Sequence, residues 1–106
     1  LTTKRGNKME IATLGNNMIE LRLGGNGKGD KDKMVLFSYS TPVAMFDYSK
    51  LYCTTSKISN ETTEHIKKWF YIINQQAEYN NQPHYDRASI SQNELDPLGE
   101  KYCHWL

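Results

Sequence analysis

The residues of this chain best suited to nucleophilic, acid–base or metal chemistry are His65, His84 and His104 with Cys53 and Cys103. His65 follows Glu61 by four residues, a spacing at which a helical carboxylate can reach an imidazole and orient it as a general base. Nothing nearby in sequence supplies a nucleophile or a second acid, so His65 is expected to be structural: an exposed pair with Glu61 is the plain reading, and a hydrogen bond to backbone of the neighbouring strand, anchoring helix to sheet, is the other. Zinc would need Cys53, His65, His84, Cys103 and His104 to converge, yet the close-spaced ligand pairs of structural zinc sites are missing. Cys103 and His104 are adjacent, a poor geometry for one tetrahedral ion. Cys53 lies in an apolar run and reads as a small buried hydrophobe. Glu61, Glu64, Glu94, Asp96 and Glu100 are scattered singly, unlike the clustered carboxylates of two-metal nucleases or glycosidases. The expectation is a non-enzymatic protein with no catalytic residues, no metal and no cofactor.

A phosphate loop is the remaining chemical candidate. Residues 24–29 hold four glycines, and Asp30-Lys31-Asp32-Lys33 follows. Phosphate loops run from a strand into a helix and close on Gly-Lys-Ser/Thr, whereas Gly27-Lys28-Gly29 leads towards another strand. A mobile connection over 24–33 is the better reading.

The elements around these residues are legible in places. Met9–Leu14 and Met18–Leu23 flank Gly15-Asn16-Asn17, residues that tolerate the positive φ of a tight hairpin. In the second arm Ile19, Leu21 and Leu23 alternate with Met18, Glu20 and Arg22, placing aliphatics on one face and charges on the other. Met34-Val35-Leu36-Phe37 is apolar at every position, as a strand covered on both faces would be. The most strand-like stretch runs from Met34 to Phe46, with Pro42 marking a bend, bulge or edge position within it, and Leu51–Thr55 reads as the return strand. Then Ile66, Trp69, Phe70, Ile73 and Ala77 recur at i, i+3, i+4, i+7 and i+11, the single apolar stripe of a helix capped by Ser59 or Asn60 and ending near Tyr79. Burying Trp69, Phe70 and Ile73 on a sheet would contribute about 2 kcal/mol or more each. Ser91-x-x-Glu94 could open a short helix, which Pro97 and Gly99 are expected to stop soon. The expected fold is α+β: an antiparallel sheet of about four strands, one main amphipathic helix, and an irregular C-terminal tail over 80–106. All 106 residues form one domain, with 1–8 mobile as well.

The net charge is +1, and hydrophobic residues make up 38% of the chain. Such a balance creates no global field towards nucleic acid or membrane, and no apolar run is long enough for a membrane span. Two cysteines fifty residues apart form no disulfide framework, so a reducing cytoplasm is the default compartment. Leu1 in first position fits either a TTG start read literally or trimming. Charge is uneven: residues 1–33 carry +3 and residues 80–106 carry −2. An ordinary solvated surface is the plain account of that asymmetry.

Two stretches, Val35-Leu36-Phe37-Ser38-Tyr39-Ser40-Thr41-Pro42-Val43-Ala44 and Thr62-Thr63-Glu64-His65-Ile66-Lys67-Lys68-Trp69-Phe70, with Thr55-Ser56-Lys57 before the second, resemble a family of small bacteriophage proteins. Those share a VLFSYSTPVA strand and a TTxHINKWL-like helix start. The resemblance spans residues 9–70. It implies a phage-encoded accessory protein working in the bacterial cytoplasm, and it brings no activity and no catalytic residues. The glycine loop, Cys53 at a position where a basic or polar residue is expected, and the aromatic tail depart from the pattern.

Aromatic residues are the strongest binding candidates, because Tyr and Trp are enriched in interface hot spots. Tyr48, Tyr52, Tyr79, Tyr85, Tyr102 and Trp105 are expected to face a host or phage protein. The alternative is nucleic acid on Lys4, Arg5, Lys8, Arg22, Lys28, Lys31 and Lys33, with tyrosines beside them. That second reading suffers from the near-neutral charge. Unpaired sheet edges also leave room for a homodimer.

Overall fold

The computed structural model describes residues 9–24 and 32–102; segment 1–8 and most of 24–33, both expected to be mobile, lie outside the described residues. Five strands follow one another as an antiparallel meander: β1 (Met9–Gly15), β2 (Met18–Leu23), β3 (Lys33–Ser38), β4 (Thr41–Phe46) and β5 (Lys50–Thr54). Helix α1 (Asn60–Tyr79) then crosses the sheet, and β6 (Asp86–Ile90) lies parallel to β5. A second helix, α2 (Gln92–Tyr102), follows a sheet whose strand order is β1-β2-β3-β4-β5-β6. The α+β expectation holds in outline, but among the described residues the sheet is six-stranded and mixed, and the supposed irregular tail contains a strand and a helix. The parallel strand has a simple cause. Parallel neighbours need a long crossover, and α1, 20 residues long, spans about 30 Å and supplies it.

Helix α1 forms where its stripe predicts. Ser59 is the N-cap, its hydroxyl accepting the Thr62 N–H at 3.1 Å. At the other end Asn81 takes φ 60°, and the N–H groups of Asn81 and Gln82 reach back to the carbonyls of Glu78 and Ala77 at 3.0 and 2.7 Å. That double return satisfies the last turn before Pro83. Trp69, Phe70 and Ile73 are all buried, Trp69 completely, against Met18, Met34, Leu36, Phe46 and Leu51. The alternation in β2 misplaces one residue. Glu20 is only 4% exposed, lying under α1, where it accepts the Trp69 indole N–H at 2.8 Å and pairs with the Arg22 guanidinium. Both faces of β2 are therefore buried at their centres, and the charge is held by two donors instead of water.

The other face buries Met9, Leu21, Val35 and Phe37, with Leu98 and Tyr102 of α2 packed against them. Pro42 sits opposite Phe37, beside an irregularity in the β3–β4 register. Gln92, the first residue of α2, donates to the Pro42 carbonyl at 2.8 Å and accepts the Thr54 hydroxyl. One side chain thus clips α2 to two strands. Pro97 does not stop the helix, because both it and Asn93, whose carbonyl loses its helical donor, face solvent. Gly99 does not stop it either; it allows α2 to approach. A Cβ there would lie 3.0 Å from Pro42 Cδ, part of a ring that cannot swing away. Gly99→Ala is therefore expected to cost about 1–3 kcal/mol, read as a lower denaturation midpoint in urea.

Candidate functional site

Among the described residues, five non-glycine residues have positive φ, Tyr48 at 67° among them, and two of the five are consecutive, in the β3–β4 connection. It is a two-residue hairpin in which Ser38 pairs with Thr41 and both central residues have positive φ, Tyr39 at 53° and Ser40 at 68°. Such turns normally carry Asn-Gly, because a side chain in this region meets its own backbone. Here a tyrosine and a serine occupy it. Backbone strain of this size persists only where surrounding contacts over-determine it.

Those contacts come from three elements. The Tyr39 N–H donates to the Asn17 carbonyl at 3.0 Å, locking this turn to the β1–β2 turn, where Asn17 itself has φ 58°. The Tyr39 ring stacks on the His65 imidazole, 6.0 Å between centroids and 28° between planes. Its hydroxyl bonds Glu61, whose carboxylate holds the phenol above its ordinary pKa. Beneath the tyrosine runs a line of hydroxyls: Ser59 to Thr62 at 3.1 Å, Thr62 to Ser38 at 2.9 Å, and Ser38 to His65 Nδ1 at 2.8 Å. The Ser38 hydroxyl thus shares its oxygen between Thr62 of the helix and the His65 ring nitrogen.

A serine hydroxyl on a histidine nitrogen invites comparison with a nucleophile and its base. Ser38 is only 2% exposed, however, and its oxygen is shared with Thr62. Its geometry is that of a bolt between β3 and α1. His65 does anchor helix to sheet, through a side chain and not through backbone. Tyr39 above it is 47% exposed. On the far side of the same turn, Ser40, Thr41 and Pro42 line an open groove of about 300 Å³ with Asp96, Gly99 and Glu100.

The tyrosines expected to bind a partner do not form one surface. Tyr48 and Tyr85 both pack on Phe46, with centroids at 4.6 and 4.7 Å, and Tyr85 is half-buried against the α1-side core. Tyr52, half-buried, pairs with Met45, which packs with the α2-side core. Its hydroxyl donates to Asp47 at 3.0 Å. Tyr102 packs on the α2-side core, and Tyr79 stands exposed at the end of α1. Trp105, Cys103 and His104 lie outside the described residues. So do Lys4, Arg5, Lys8, Lys28 and Lys31 of the basic set. Arg22 is engaged by Glu20 and Glu10, and Lys33 is half-buried at the start of β3. His84 pairs with Glu78 in solvent. Burial pushes the half-buried Cys53 thiol above its usual pKa, against the pull of Arg87. Among the described residues no group of three or more His, Cys, Asp or Glu is placed to hold a metal ion.

Asp47 carries a pH dependence. Partial burial pushes its carboxyl up, but the Lys50 and Ser49 N–H donors and the Tyr52 hydroxyl outweigh this and hold it below the ordinary value of 3.8. A lowered folded pKa means the stabilisation is complete above the ordinary value and fades as pH falls through the folded one. Asp47→Ala is expected to cost about 1 kcal/mol at neutral pH, and the difference from wild type should shrink below pH 3.8 in acid-titrated urea melts.

A strained, aromatic-tipped turn on a sheet covered by two helices defines a small α+β protein with an exposed tyrosine held at its surface. By sequence the chain belongs to a family of unknown function (DUF8033), whose model matches residues 2–90. That span includes all six strands and α1, while α2 lies beyond it. No curated protein and no solved structure matches the chain.

Proposed function

We propose that this chain is a non-enzymatic accessory protein of bacteriophage type that binds a host or viral protein, with the Tyr39 turn as its point of contact. Interference with a host enzyme or an antiviral defence system is the action we favour. One observation carries the reading: an exposed tyrosine is held at positive φ by a hydroxyl–imidazole bolt that fixes its ring without covering it. Strain of this kind clusters at functional sites, ligand clamps among them. A pre-ordered aromatic also binds without losing much rotamer freedom. The likeness of Val35–Ala44 and Thr62–Phe70 to small phage proteins supplies the setting, and Ser38 and His65, which form the bolt, each come from one of those stretches.

The test compares affinity capture from bacterial lysate by the full chain and by Tyr39→Ala. Wild type should retain a protein that the variant loses, while both show the same far-ultraviolet circular dichroism. Equal retention by the two would remove the turn from the interface, and capture of nucleic acid alone would remove the protein-binding reading.

A further inference from the structure

We draw no further inference here: the strongest candidate, the open groove between the β3–β4 turn and α2 that Asp96 and Glu100 line, carries nothing, because nothing in the structure shows what fills it.

Discussion

Trp69→Ala is expected to remove about 3–5 kcal/mol of stability, the usual range for emptying a buried indole site. A domain of this size has about 5–15 kcal/mol in all, so the variant should be partly unfolded in water or melt at very low urea. Two losses combine. The indole is completely buried between α1 and the sheet, and its N–H is one of the two donors that hold the Glu20 carboxylate under the helix. Trp69→Phe separates them. It keeps most of the apolar contact and leaves Glu20 with Arg22 alone, at an expected cost of about 1–3 kcal/mol. Urea denaturation followed by circular dichroism should rank wild type above Trp69→Phe above Trp69→Ala. An alanine variant within about 1 kcal/mol of wild type would mean that α1 is not what seals this face.

What the sequence makes legible follows from how local each signal is. The β1–β2 hairpin, the doubly covered strand Met34–Phe37 and the stripe of α1 are written in neighbouring residues, and each forms where its periodicity predicts. β6 is not written locally: Asp86-Arg87-Ala88-Ser89-Ile90 has one large apolar residue, and it becomes a strand because the α1 crossover delivers it beside β5. Pro97 and Gly99 look like helix breakers, yet their cost falls with solvent exposure at one position and close approach to Pro42 at the other. Glu20 looks solvated because its partner Trp69 stands 49 residues away. The Tyr39 turn is hidden for a similar reason. Ser38-Tyr39-Ser40-Thr41 reads as a strand continuing, since it lacks the glycine or asparagine that announces a hairpin. Only the 27-residue link from Ser38 to His65 shows why the turn can do without them.

The same turn gives the largest functional effect. Replacing Tyr39-Ser40 with Asn-Gly supplies the residues that a positive-φ pair favours. Relief of two strained positions is expected to raise stability by about 1–2 kcal/mol, less whatever the lost stacking on His65 and the bond to Glu61 contributed. Partner affinity should fall by about 2 kcal/mol or more, roughly 30-fold, as for truncation of an interface hot spot. Tyr39→Phe keeps the stacked ring but drops the hydroxyl, so it should bind closer to wild type and show no gain in stability. Melts paired with titration of the captured partner separate the outcomes. Stability gained with affinity unchanged would make the turn a tolerated irregularity. Affinity lost by Asn-Gly but kept by Tyr39→Phe would place the ring at the contact, and would give the reason for keeping a strained tyrosine where Asn-Gly would fold more easily.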